Sequence, residues 1–289
     1  MTSLSQVSKH YFNPEVVEEI LEYARGRWVA AYYSDGVFRR YVGRKPLTLN
    51  TPDDWRFITA FKGNSLRTVY ASAKVYRRLV CREDLYDSSN VVMCTPSWDI
   101  DNDLERWETT LEAAETIVGF LRDMGVKHSV YVKWSGRGCH VHVNEKSLSR
   151  ELASRLSPFD LAYAVVEYVI LKTAPALAEL AERCPSLKVE NLMDPQRVFT
   201  CPLSLHRRLD VVCVCIDPSK LGSFSLEWTR PGEYRHYRGW RGFREGELDE
   251  LAEKAFTVVG PYPVRRRRVR KHPPLDKQIL DTVRRLKRL

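Results

Sequence analysis

Apolar positions along the chain change period repeatedly. Asn13 followed by Pro14 is a helix-start signal, and Val17, Ile20, Leu21 and Tyr23 extend it as a helix to about Arg25. Residues 28–33 and 37–42 are strand-like runs joined by Ser34, Asp35 and Gly36, which predicts a hairpin. Ser65 is placed to cap a helix whose inner face would be Val69, Ala73, Val75 and Leu79, and 91–94 reads as a buried strand. A stripe of Leu104, Leu111, Ala114, Ile117, Val118 and Leu121 predicts a helix over 104–124 that stops at Gly125. Strands are expected at 129–134 and 140–143 around a glycine loop, then a helix at 158–173, strands at 187–190 and 211–216, and a helix at 246–256. Interleaved strands and helices predict an α/β or α+β class with a mixed sheet, and no repeat or low-complexity linker precedes residue 260.

The 289 residues, 44% of them hydrophobic, are enough for one large domain or two small ones. The apolar run 161–171 is broken by Glu167 and falls short of the roughly 20 residues a membrane span needs. With no apolar signal core at the N-terminus, the expectation is a soluble, cytoplasmic, nucleoid-associated protein without a membrane partner. Seven cysteines form no CxxC pair, so no structural zinc is expected and the thiols should be reduced core residues.

Dividing the net charge of +9 changes the picture. Residues 263–289 hold eleven of the 46 basic and two of the 37 acidic residues, which leaves 35 of each before them. The run Arg265, Arg266, Arg267, Arg268, Arg270 and Lys271 has the composition of a phosphate-backbone contact, whose strength comes from counterion release. Beyond Pro274, Leu275, Ile279, Leu280, Val283 and Leu286 follow helical spacing. Two units are therefore expected: a catalytic domain over 1–260 and a basic tail with a short amphipathic helix over 261–289.

Two segments can carry chemistry. Asp99 and Asp101 flank Ile100 after an apolar run, and side chains two apart on a strand share a face. Their mutual repulsion would be relieved by a divalent cation with oxygen ligands, while the alternative is an exposed turn capping the next helix. The second segment is Ser135, Gly136, Arg137, Gly138 followed by His140 and His142 on one strand face. Two glycines around an arginine can turn backbone N–H groups toward an anion, and the guanidinium adds bidentate contacts. The alternative is a tight hairpin with a partly buried histidine.

The order Asp-x-Asp, strand, Ser-Gly-x-Gly-x-His, then Pro202-Leu203-Ser204-Leu205-His206-Arg207-Arg208 resembles the archaeo-eukaryotic primase superfamily, over roughly residues 28–230. Residues 69–79 look like the family's helix before its first acidic strand. The resemblance implies an α+β core, an RRM-like sheet plus a second α/β unit flanked by helices. It implies that Asp99 and Asp101 are catalytic metal ligands, with Glu190 as the third carboxylate and Asp194 in reserve because the interval to the His is short. Ser135, Gly136, Arg137, Gly138 and His140 would hold a nucleoside triphosphate, and His206 with Arg208, at the family's usual lysine position, would add a phosphate contact. The implied cofactor is Mg²⁺ or Mn²⁺, and the implied partners are a DNA template and primer, nucleoside triphosphates, and a large primase subunit or other replication and repair proteins. The implied activity is template-dependent nucleotidyl transfer. An end-joining polymerase of the same superfamily, a metal-dependent phosphohydrolase or nuclease, and a non-enzymatic nucleic-acid-binding module are the alternatives.

Overall fold

In the computed structural model, residues 4–61 and 65–263 are described. The order begins α1 (Leu4–Tyr11), α2 (Pro14–Ala24), β1 (Arg27–Tyr33), β2 (Phe38–Arg39), β3 (Tyr41–Val42), β4 (Lys45–Pro46) and α3 (Pro52–Ala60). It continues through β5 (Leu66–Tyr76), β6 (Val91–Cys94), β7 (Ser97–Asp101), α4 (Trp107–Asp123), β8 (Val130–Trp134) and β9 (Cys139–Val143). The remainder is α5 (Arg150–Arg155), α6 (Pro158–Arg183), β10 (Lys188–Glu190), β11 (Val198–Thr200), β12 (Val214–Ile216) and α7 (Asp249–Val259).

Two five-stranded sheets organise the molecule. The first runs β11-β5-β1-β2, with β6 also paired to β5, and the second runs β10-β7-β9-β8-β12. The class is α+β; the pairings among the described residues are antiparallel throughout, so the mixed sheet expected from the sequence is corrected. The chain crosses from the first sheet to the second through Thr95 and Pro96, and returns between β10 and β11. Asp99 therefore lies inside a strand of its own, separate from 91–94.

Residues 66–76 correct the expected helix. They form the central strand of the first sheet, buried on both faces, with Val69, Ala71 and Ala73 alternating with Leu66, Thr68 and Ser72. A strand covered on both sides lacks clean two-residue alternation, so its apolar residues also fit a helical stripe. Helix α6 runs ten residues past the expected end at 173, straight through Pro175, with Leu177 and Leu180 packed on the core. At 26 residues it is long and apolar enough to cross a membrane, which corrects the expectation drawn from 161–171; half of its apolar window is buried inside the fold. It packs against α4, α7 and β6, and the carbonyl of Val166 accepts from the indole of Trp98 at 3.1 Å. That bond anchors β7 from its core side. All seven cysteines are free thiols, six of them buried.

Candidate active site

Register places the acidic residues. Asp99 lies opposite His140 on β9 and opposite Glu190 on β10, while Asp101 lies opposite Lys188. Residues directly opposite in an antiparallel pair share a face, so Glu190, Asp99 and His140 form one row with Asp101 beside it. Trp98 and Ile100, wholly buried, turn the other way into the core.

Asp99 is buried and engaged at both oxygens. His140 Nε2 lies 3.1 Å from Oδ1, and the Arg197 guanidinium donates to Oδ2. Burial alone would push this carboxyl up, but the imidazole and the guanidinium outweigh it and hold it below its ordinary value. Burial lowers His140 against the pull of Asp99, so a neutral imidazole donating Nε2–H to a carboxylate accounts for the pair. Its Nδ1 has no hydrogen-bond partner among the described residues. Asp101 behaves oppositely: loss of hydration pushes its carboxyl up, and the charges of Asp99 and Glu190 add to this. Two carboxylates on one face thus carry opposite shifts: Asp99 is matched by Arg197 and His140, while no cation pairs with Asp101 among the described residues.

The glycine loop is set by close approach. Ser135 N donates to Gly138 O at 3.0 Å and the Trp134 indole donates to Gly136 O at 3.1 Å, which closes the turn between β8 and β9. A Cβ on Gly138 would stand 2.1 Å from the carbonyl oxygen of Ile100, so only glycine lets the loop lie against β7. Gly136, at φ +139°, would place a Cβ 2.6 Å from the His206 ring. The two motifs, some seventy residues apart, are therefore in contact.

Around His206 the polypeptide is tightly held. Leu203 adopts φ +58°, a conformation costly for a branched side chain, and its backbone N–H donates to Cys213 O while its carbonyl accepts from His10. Arg67 on β5 donates to the carbonyls of His206 and Leu209. His206 Nδ1 accepts from the backbone N–H groups of Arg208 and Leu209 at 3.2 and 2.9 Å, leaving Nε2 to carry the proton. Burial, then the charges of Arg207, Arg137, Arg67 and Arg208, lower this histidine to about 4. Arg67 is committed to Asp210 at 2.9 Å, so the charge offered to an anion beside this neutral imidazole comes from Arg207, Arg137 and Arg208.

The acidic and cationic walls face one cavity of about 510 Å³ between the two sheets. Asp99, Asp101, Ser135, His140 and His206 line it together with Arg197 and Arg207. Tyr32, Phe38, Tyr70 and Phe199 of the first sheet form its aromatic side. Arg137 and Arg208 are exposed and do not line it, while Arg137 still stands close enough to act on His206. Glu190, also exposed, shares the face of Asp99 without lining the cavity. Among the described residues no three His, Cys, Asp or Glu side chains are grouped closely enough to hold a metal ion, so Glu190 does not close a three-carboxylate cluster with the aspartates. Asp194 is exposed, its carboxyl accepting from the N–H of Gln196. The tail residues Arg265, Arg266, Arg267, Arg268, Arg270 and Lys271 lie outside the described residues.

Sequence reasoning missed Arg197, Arg207 and the aromatic side. Arg67 gave a usable signal, a cation between Leu66 and Thr68 in an apolar run. Arg197 gave none, because its partner is distant in sequence.

No family model matches the sequence, and no curated protein does. Among solved structures, the polymerase domain of Ligase D from Mycobacterium tuberculosis, in complex with DNA, superposes with a TM-score of 0.58 over 90% of each chain at 14% identity. The chain has the fold of that polymerase domain. At such low identity the likeness is one of fold alone, and the residues in the cleft have to speak for the chemistry.

Proposed function

We propose that the chain is a template-dependent primase-polymerase, a nucleotidyltransferase that adds nucleoside triphosphates to a nucleic-acid strand. One observation carries the reading: a carboxylate pair and an arginine-ringed neutral histidine face each other across a single cavity. A triphosphate needs both at once, cationic contacts for its β- and γ-phosphates and carboxylates for the accompanying cation.

The donor set fits that cation. It consists of oxygens, which suit Mg²⁺ or Mn²⁺, and burial, with the charges of Asp99 and Glu190 added, raises Asp101. Mg²⁺ is commonly held by one or two carboxylates plus substrate phosphates, so Asp99 and Asp101 would suffice without Glu190, which shares their sheet face but does not cluster with them. Asp99 and Asp101 would hold the cation, which would supply Lewis-acid activation of the 3′-hydroxyl and charge stabilisation at the α-phosphate. His206 donates from Nε2 to a phosphate oxygen, with Arg207 and Arg137 supplying charge beside it. Ser135 and the loop amides orient the same group, and His140 fixes Asp99. The aromatic side is placed for the sugar and base. Residues 1–260 form the catalytic unit in this reading, its two sheets being the two α/β units of the superfamily, and 261–289 the basic accessory segment.

Labelled nucleotides, Mn²⁺ and a primed template test the proposal: extension supports it, degradation of the strand would assign a nuclease, and neither would leave a binding module. The Ligase D neighbour favours end joining as a second reading, and substrates with two 3′-overhanging ends separate it from primer extension on continuous templates.

A further inference from the structure

A second cleft lies at the far edge of the second sheet, three strand spacings from β7, roughly 14 Å, and toward the opposite end of β8 from the glycine loop. Its volume is about 360 Å³, within the range of small-ligand sites. Trp228, Tyr237, Lys220, Arg235, His236 and Asp217 stand around it.

We propose that this cleft is a second nucleic-acid subsite, holding one base and its phosphate from a single strand whose other part occupies the catalytic cavity; it rests on the polymerase reading above. Trp228 is a fixed aromatic plate: its carbonyl accepts from Arg235 N–H at 3.0 Å and its ring meets Phe224 edge-on at 5.7 Å. The Arg235 guanidinium lies 5.6 Å from the indole centroid, so a flat cation and a flat ring border the same space. Among the described residues no carboxylate pairs with Lys220 or Arg235. Asp217, the acidic residue of the lining, is committed locally, accepting from Ser219 N–H at 2.9 Å and Oγ–H at 2.7 Å. His236 is equally committed, accepting from Cys215 N–H and meeting Glu19 through Nε2. A stacking ring beside unpaired cations is the chemistry of sequence-tolerant single-strand binding. An acidic peptide would satisfy the cations and leave the indole face unused.

The test uses the full chain in EDTA, so that binding is read without turnover, and follows anisotropy of a fluorescein-labelled thymidine oligonucleotide. Trp228→Ala should weaken binding roughly ten- to hundredfold, the loss of one stacked base, while Trp228→Phe keeps most of the affinity. Lys220→Glu with Arg235→Glu, two exposed positions whose change leaves the core intact, should weaken binding and flatten the salt slope by about 0.7 for each phosphate no longer neutralised. A 5-iodouracil oligonucleotide should photocrosslink to Trp228 or Tyr237. Wild-type affinity in both Trp228→Ala and the charge-reversed pair, or crosslinks confined to other segments, overturns the subsite while primer extension by the wild type leaves the polymerase reading standing. A wild-type chain that neither binds the oligonucleotide nor extends a primer overturns both.

Discussion

Gly138→Ala is the sharpest test of how the candidate active site is built. The added Cβ would stand 2.1 Å from the Ile100 carbonyl oxygen, whereas real Cβ contacts under 3.0 Å essentially never occur. Close to an ångström must therefore open between the loop and β7. Backbone φ at Gly138 lies outside the left-handed region, so the effect comes from contact and not from torsional strain. Overpacking of this kind costs roughly 1–3 kcal/mol, which in a chain of this size lowers Tm by roughly 2–10 °C. The strand forced back is the one carrying Asp99 and Asp101, and displacement of catalytic groups by an ångström costs on the order of 100-fold in rate. Differential scanning calorimetry and single-turnover nucleotide incorporation read the two effects. Gly119→Ala is the control: it lies inside α4, where an added Cβ would meet nothing within 4 Å, and should stabilise by about 0.5–1 kcal/mol with activity unchanged. A Gly138→Ala protein with wild-type Tm and rate would refute the apposition of loop and strand.

Asp99→Asn and Asp101→Asn should both abolish nucleotide incorporation at saturating Mn²⁺, yet differ in stability. Asp99→Asn loses charge-assisted bonds to Arg197 and His140 and should cost about 1–3 kcal/mol, whereas Asp101→Asn removes a carboxyl already pushed up by its surroundings and should not lower Tm at neutral pH. Equal effects on stability would count against the assigned charge states. His206 is lowered from 6.5 to about 4, so the unfolded chain binds the proton first; the stability this histidine contributes is present above pH 6.5 and is lost as pH falls toward 4. The Tm gap between wild type and His206→Asn should therefore shrink over that window, and a constant gap would contradict the shift. Truncation after Gly260 removes the whole formal charge excess. If four or five of the eleven basic residues touch backbone, the slope of log affinity against log salt should flatten by roughly three to four units; an unchanged slope would move the nucleic-acid surface to the near-neutral first 260 residues.

Much of this molecule was determined locally, and those parts were legible in the sequence. The Asn13 cap of α2, the β1–β2 hairpin, α4 with its stop at Gly125, and the strands around the glycine loop follow from caps, turns and periods that act within a few residues. So does the shared face of Asp99 and Asp101, because strand geometry alone imposes it. Tertiary structure decided what local signals leave open. Residues 66–76 became a strand because β1 on one side and β6 and β11 on the other supply its hydrogen-bonding partners, overriding a pattern that fits a helix equally well. Helix α6 passed Pro175 because the core covers the turns beyond it. Arg197 reached Asp99, Arg67 braced the His206 turn, and Gly136 met the His206 ring through contacts between residues far apart in sequence. Period and propensity describe a residue's neighbours along the chain, whereas the opposition of a carboxylate wall and an arginine wall across one cavity exists only once the two sheets are packed together.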